Sequence, residues 1–561
     1  MRPSVRFPHL LAAILALGCA ARATAQARSV LRGLSTPLAE GVITVSGDSV
    51  DRLRLAQLEG RAPLQGLILR STSSLMNPRS AGGRTQRFTI VAPALTFVNN
   101  GSLPFGQNDG ALWAGVGTNI RALAGFTATV GPVRLILIPE FVHSANKDLS
   151  INPYDPKFGP QLFLRRARNA FSSPWNQFPY SIDMPPRFGD ASFSKTYPGQ
   201  SSLTLTAGPV EAGAATENEW WGPALRNPIV MSDNAAGFPH VFFRTSRPLT
   251  SIVGTIEARW IVGALHESQW FTRSTDADNI RSLSAAALAW KPNPESGLTL
   301  GITRSVFSAT TGSGDVAGHF LDVLKKTGHP DALPINDSSL TPGKDQLISV
   351  FARWALPAYG LESYVEWGRA DLPVSLRDFI EQPDNSRGYT AGIQWVRPIG
   401  PDSHFRIQGE VTNVEQSATY QFRPVGSFYT SRAAIQGYTN EGQVIGAGIG
   451  PGSSGQWIAS DFFKGNWQFG VTAGRTRFNN DPYWLLNWAL TVYAFNCGND
   501  VTTYPGLRAG YSNSRFRVRA DYTAASRYNT FFQNRNSCQP GGDGSDRTNK
   551  NFSLTLTTFG W

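Results

Sequence analysis

The chain has 561 residues, 41% of them apolar and only 16% charged, with 55 Gly, 37 Pro, 33 Phe, 15 Tyr and 15 Trp. A chain this rich in apolar and aromatic residues and this poor in charge buries a core, which excludes disorder. Its length exceeds one compact soluble core, leaving several domains or one large closed sheet; the formal charge of +11 is spread along the chain and points to no nucleic-acid partner.

Residues 1–25 read as a secretory signal peptide. Arg2 and Arg6 precede an apolar run from Leu10 to Leu17, and Ala23-Thr24-Ala25 supplies the cleavage site. Cleavage before Gln26 removes Arg2, Arg6 and Arg22 and lowers the formal charge to +8. Gly18-Cys19 is a competing lipid-attachment site, although Ala16 and Leu17 fit its usual order poorly. No later stretch approaches the roughly 20 apolar residues of a membrane-spanning helix, so the exported chain is soluble or a β-barrel. Residues 26–86 then form a periplasmic segment. In it Ser49 caps a short helix over 50–58 that stops at Gly60, and Pro63 starts a second carrying Leu64, Leu67 and Ile68. Two roles stay open for this segment: a tail below the sheet, or a plug in the lower mouth of a barrel.

From residue 87 onward, alternation of period two marks strands with two unlike faces. Phe405, Ile407 and Val411 oppose Arg406, Gln408 and Glu410; Trp467, Phe469 and Val471 oppose Gln468, Gly470 and Thr472. Strands are expected near 87–98, 111–130, 133–143, 200–207, 210–216, 238–247, 250–265, 280–290 and 297–308. They continue near 346–355, 360–369, 388–397, 403–422, 466–478, 484–495, 503–512, 516–526 and 551–561. Brief turns such as Gly131-Pro132, Arg247-Pro248 and Asn479 to Pro482 alternate with long polar loops near 144–199, 217–237, 309–345 and 423–465. That sorting of short periplasmic turns from long extracellular loops belongs to an outer-membrane barrel, and a soluble sandwich has no reason for it. The fold expected is therefore all-β, a transmembrane antiparallel β-barrel of about eighteen strands over residues 87–561. The final strand ends in Trp561, an aromatic terminus of the kind read by barrel insertion machinery. Its alternation slips, with Phe552, Leu554 and Leu556 on one face and Phe559 and Trp561 on the other.

Chemistry is sparse. His266-Glu267 lacks a second His at metalloprotease spacing, Gly343-Lys344 lacks the rest of a phosphate loop, and no Gly-x-Ser-x-Gly elbow occurs. No metal site, cofactor or enzyme activity is indicated. Cys497 and Cys538 fall in outer loops after the fifteenth and seventeenth strands, where an oxidising compartment lets them pair. Two loops are dense in special residues. One runs from Trp220-Trp221-Gly222-Pro223 through Arg226, Asn227, Asp233 and Asn234 to His240; the other runs from Gly437-Tyr438 to Gly455. Aromatic rings suit sugar C–H faces, and Asn, Asp and Arg suit hydroxyls and acids, although Trp220 and Trp221 would equally fold their loop into the barrel mouth. The loop 144–199 carries seven Lys and Arg against four Asp, including Arg165, Arg166 and Arg168, together with Trp175. These cations suit an acidic polysaccharide or lipopolysaccharide phosphates.

The stretch Trp220 to Pro248 resembles the signature of the capsule assembly protein Wzi family. Gly110-Ala111-Leu112-Trp113 with Gly115, Gly117 and Asn119 is similar to its early strand. Glu366-Trp367-Gly368-Arg369-Ala370-Asp371, Leu376-Arg377-Asp378-Phe379 and Gly437-Tyr438 through Ser453 follow in family order. Ala224 departs from the family, which often has a second Gly there. The resemblance implies an eighteen-strand barrel, occluded by helices below and loops above, that acts as a lectin for capsular or exopolysaccharide. Candidate sugar contacts are Trp220, Trp221, Arg226, Asn227, Asp233, Asn234, Tyr438, Arg165, Arg166, Arg168 and Trp175. Partners expected are that polysaccharide, outer-membrane lipid and lipopolysaccharide, and the insertion machinery. The competing function is a diffusion channel lined by Arg406, Glu410, Arg517 and Arg519, and a barrel enzyme is a third class.

Overall fold

The structure, a computed structural model, describes residues 41–76, 88–149, 181–271, 280–293, 296–310, 312–325, 343–371, 373, 375–421, 423, 425–482, 497–533, 538 and 545–559. Eighteen strands hydrogen-bond into one closed antiparallel barrel. The first nine are β1 (Phe88–Asn100), β2 (Gly117–Val130), β3 (Val133–Leu137 continuing as Glu140–Ser144), β4 (Phe193–Tyr197 continuing as Ser202–Ala207), β5 (Val210–Ala215), β6 (His240–Thr245 continuing as Leu249–Ser251), β7 (Gly254–His266), β8 (Ile280–Lys291) and β9 (Leu298–Ala309). The second nine are β10 (Lys344–Leu356), β11 (Leu361–Arg369), β12 (Arg387–Gly400), β13 (Ser403–Asn413), β14 (Ser454–Lys464), β15 (Trp467–Arg477), β16 (Val501–Thr503 continuing as Gly506–Ser512), β17 (Phe516–Tyr528) and β18 (Arg547–Thr558). Closure comes where β1 pairs with β18, Ala94 opposite Thr557 through Asn100 opposite Asn551. No strand edge is left to face hydrocarbon.

The two faces of each strand separate the barrel from a sandwich. Arg406, Gln408 and Glu410 of β13 point inward and are buried, while Val411 points outward and is exposed. On β15 the outward Trp467, Phe469 and Val471 each leave about half their surface uncovered. A soluble sandwich would bury that apolar face; here the buried face is the polar one, and the outward band suits lipid. Among the described residues no helix is long and apolar enough to cross a membrane.

The strand count matches the expectation, but one strand changes place. The expected loop 423–465 contains β14, which pairs with β13 and β15 throughout its length. The expected strand 484–495 lies outside the described residues, and β15 pairs directly with β16. The periplasmic turn after β14 is therefore Gly465-Asn466, not Asn479 to Pro482. The latter sits on the outer side, where Asn480 and Asp481 donate backbone hydrogen bonds to Gly452. The hairpin between β6 and β7 turns at 252–253, and Arg247-Pro248 is a break within β6. At the C-terminus Phe552 faces outward while Phe559 is buried beneath the Arg517 guanidinium, 5.2 Å away. Trp561 and the signal peptide lie outside the described residues.

Residues 41–76 lie within the barrel rather than below it. Helix α1 (Asp48–Leu58) occupies the periplasmic end and carries Asp48 and Asp51 in its first turn. Asp48 meets Arg517 at 2.9 Å, and Asp51 meets Arg406 at 2.8 Å. On its apolar side Leu55 and Leu58 pack on Ala355, Val396 and Phe463 of the inner wall. The residue before the helix is Gly47, and Ser49 does not cap it; the Ser49 hydroxyl accepts from Arg517 instead. The second helix expected from Pro63 does not form. Gly66 adopts a φ of +74°, and the intended stripe serves three separate cores. Leu64 joins the wall patch, Leu67 packs with Ile43 and Val50, and Ile68 enters the central core. Leu69–Ser71 then forms a two-stranded sheet with Glu219–Trp221, and α2 (Thr72–Leu75) follows under a Ser71 capping box.

Candidate functional site

The inner wall holds its plug by buried carboxylates aimed at backbone amides. Glu410 of β13 accepts from the amides of Leu225 (2.6 Å), Arg226 (3.2 Å) and Asn227 (2.9 Å), and from the Tyr364 hydroxyl (2.7 Å). Glu366 of β11 accepts from Ile229 N at 3.1 Å and from the Ser349 hydroxyl at 2.7 Å. Within the plug Glu217 receives the Ser73 amide at 2.6 Å, and the plug's Glu219 pairs with Arg259 of the wall at 2.8 Å. Below them Arg54 of α1 is ion-paired with Glu362 and donates to Pro223 O at 2.6 Å. Gly222 sits at φ +104°, where a Cβ would lie 2.9 Å from the Glu366 carboxylate, so this turn needs glycine. Ala224, the departure from the family pattern, is fully buried and its φ is not positive, so an alanine fits its turn.

This plug contains most of the residues singled out for sugar. Trp220 and Trp221 are fully buried: Arg70 lies 4.6 Å over the Trp220 ring, and Trp221 donates its indole N–H to Glu219 at 3.0 Å. Tyr438 is also fully buried, donating its hydroxyl to Val230 O at 2.9 Å between Tyr429 and Phe307. None of these three rings presents a face to an external sugar, a correction to the expectation, because each is enclosed by loops that the wall draws inward. Asp233 is buried too. It accepts from the Ser46 hydroxyl at 2.5 Å, and burial pushes its carboxyl up to about 7. Asn227 accepts from Gln107, Asn234 donates to Val444 O, and Arg226 donates to Gln107 while lying 4.9 Å over the Trp457 ring. These six loop-217–237 residues are thus brought together as internal joints of the plug. Arg165, Arg166, Arg168 and Trp175 lie outside the described residues. Arg406, Glu410, Arg517 and Arg519, expected to line a channel, are all engaged by the plug or by neighbouring wall carboxylates.

A different group of rings stands at the outer rim. Trp113 and Phe188 lie 4.8 Å apart, Phe188 and Phe193 lie 6.2 Å apart, and Trp270 packs on Gly189; all four rings are half-buried. Asn146 fixes the segment beneath them by donating to the carbonyls of Phe188, Gly189 and Ala191 at 2.8 to 3.1 Å. Polar groups border the rings: Arg187 pairs with the exposed Asp148 at 2.7 Å, and Lys195 pairs with Glu441 at 2.6 Å beside Tyr197. Ser268 donates both its amide and its hydroxyl to Asp183 at 2.6 Å, tying this segment to the end of β7. Burial pushes the Asp183 carboxyl up to about 7. No sequence pattern marks this group, since its rings come from three loops and a strand end with no common spacing. Among the outer loops a disulfide also joins Cys497 and Cys538, with Cα atoms 5.3 Å apart.

A family model described as capsule assembly protein Wzi matches residues 103–521, more than half of the chain. Among solved structures, Escherichia coli Wzi, an outer-membrane protein involved in group 1 capsule assembly and described as a carbohydrate-binding β-barrel, aligns with a TM-score of 0.54 at 12% identity. That alignment covers 92% of this chain and 99% of the other. Acinetobacter baumannii OccAB2 aligns with a TM-score of 0.36 at 11% identity, over 83% of this chain and 97% of its own, too loosely to carry weight. No curated protein sequence matches. The closed barrel with its lipid-facing belt is integral to the outer membrane, and the chain belongs to the capsule assembly protein Wzi family.

Proposed function

We propose that the protein is a non-enzymatic lectin that helps hold capsular or exopolysaccharide at the cell surface through its outer loops. The observation that carries this is the rim group of Trp113, Phe188, Phe193 and Trp270 above an interior whose charges are spent on its own plug. Half-covered rings beside ion pairs offer a sugar polymer C–H contacts and hydroxyl partners together. In sequence Arg165, Arg166, Arg168 and Trp175 fall between Asn146 and Arg187, two rim residues hydrogen-bonded to each other's segments. Those arginines add cations for an acidic polymer. Each exposed ion pair contributes only about 0 to 1 kcal/mol, so affinity comes from many repeats held at once. The aromatic C-terminus serves the insertion machinery in this account.

The test is binding of an acidic capsular polysaccharide to the refolded barrel across a salt series. Replacing Arg165, Arg166 and Arg168 by Ala is expected to weaken binding and flatten its salt dependence together. A triple variant that binds as before but copurifies with less lipopolysaccharide would assign the arginines to lipid instead.

A further inference from the structure

The outward face of the barrel carries a cluster of buried polar groups on β8 to β10. Register lines up Ala258, Leu288, Ile302 and Val350 as one row on the outer surface of β7 to β10, and Leu288, Ile302 and Val350 are exposed. The next row toward the outer side is Trp260, Ala286, Arg304 and Ile348. In the rows above it the outward positions mix apolar Val262, Ala264 and Val306 with polar Ser282, Ser284, Ser308 and Gln346, and all four polar residues are buried. Polar groups there would face hydrocarbon unsatisfied, were they bare.

They are covered by residues 312–325 of the outer loop between β9 and β10, which fold back down the outside of the barrel. Phe320 stacks on Trp260 at 4.5 Å. Ser284 donates to Phe320 O at 3.0 Å and accepts from Val323 N at 3.3 Å. Arg304 donates to Val323 O, Lys325 O and Gln346, each at 2.8 Å. The buried Asp322 takes Lys344 at 2.6 Å, Lys325 at 3.1 Å and His319 at 2.6 Å. The bonds of Ser284, of Arg304 to the Val323 and Lys325 carbonyls, and of Asp322 to Lys344 join the flap to the barrel, while those of Asp322 to His319 and Lys325 hold the flap itself. Away from these bonds Leu321 and Leu324 are exposed, Leu324 by 67%, and the Phe320 ring stacked on Trp260 leaves part of its surface uncovered beside them.

We infer that this flap is a membrane-embedded surface whose partner is the acyl chains of the outer leaflet. It closes a polar notch in the wall and presents Phe320, Leu321 and Leu324 in its place, one row from the apolar belt it continues. Long outer loops need not all serve the aqueous side, and this one repairs the lipid face.

The test uses the full mature chain in phospholipid vesicles, with a spin label at Leu324→Cys and control labels at Ile302→Cys in the belt and Asp148→Cys at the rim; the native cysteines are joined and take no label. Collision with oxygen relative to a water-soluble nickel chelate is expected to match at 324 and 302, and to exceed that at 148 by about tenfold, since hydrocarbon excludes the polar reagent. A ratio at 324 like that at 148 overturns the proposal. Line broadening at 324 that vanishes on dilution with unlabelled protein would also overturn it, assigning the surface to a second copy of the chain.

Discussion

The loop around Trp220 and Trp221 and the rim around Trp113, Phe188 and Trp270 are alike in composition and opposite in use. Both combine aromatic rings with Asn, Asp and Arg. The first is drawn into the barrel because Glu366 and Glu410 project inward at the height of its amides, accepting three consecutive N–H groups and a fourth two residues on. The second meets no such carboxylates; it is tied by Asn146 and Asp183 to other outer segments and stays at the mouth. Whether an aromatic loop becomes a plug or a surface is thus decided by the wall it faces more than by its own residues.

Substitutions can break that contrast from either side. The largest effect is expected from Trp221→Ala. A buried Trp lost from a packed core costs about 3 to 5 kcal/mol, which should lower the temperature at which gel mobility shifts and raise conductance in a planar bilayer. An unchanged midpoint with unchanged conductance would place Trp221 outside the seal. Cys497→Ser comes next. Opening a cross-link of sequence separation 41 should destabilise the outer loops by about 2 to 4 kcal/mol, seen as faster proteolysis there while the barrel stays intact. Glu410→Gln keeps the shape but trades a charged acceptor for a neutral one, a loss of about 1 to 3 kcal/mol. Its readout is intermittent conductance with unaltered polysaccharide binding, and reduced binding would mean that plug and rim act as one unit.

The smallest expected effect is on pH. Asp183, Asp233 and Asp481 are each pushed up to about 7 by burial, above the ordinary carboxylate value. Folded, they take a proton more readily than unfolded, so their contribution favours the folded cap at low pH and is lost as pH rises through about 7. Protease resistance of the outer loops should be higher at pH 6 than at pH 8, and Asp183→Asn should shrink the difference. Equal resistance at both values would show that these carboxyls titrate normally.

Much of the architecture was legible because alternation and loop length report the same thing, a wall with lipid outside and polar groups within. β14 escaped because its alternation is blurred. Trp457, Ala459 and Phe463 face inward, where Phe463 packs against α1, while Gln456, Ser460 and Lys464 share the outward face with Ile458 and Phe462. The Gly465-Asn466 turn before the clear strand β15 was the available signal for it. The second N-terminal helix was misread for a related reason, since three apolar residues at helical spacing were needed by three different partners. The candidate site was less legible. Composition found the plug loop, but only the inward carboxylates, distant in sequence, show that its rings are used internally.

In the proposed function sugar is held at the rim, above a barrel filled by its own plug. Equilibrium binding of purified capsular polysaccharide to the refolded protein, compared with the variant carrying Phe188→Ala and Trp270→Ala, decides whether the rim rings hold sugar. The variant is expected to fold, stay closed to ions and lose most of its binding. Full binding by a correctly folded double variant would show that sugar is held elsewhere.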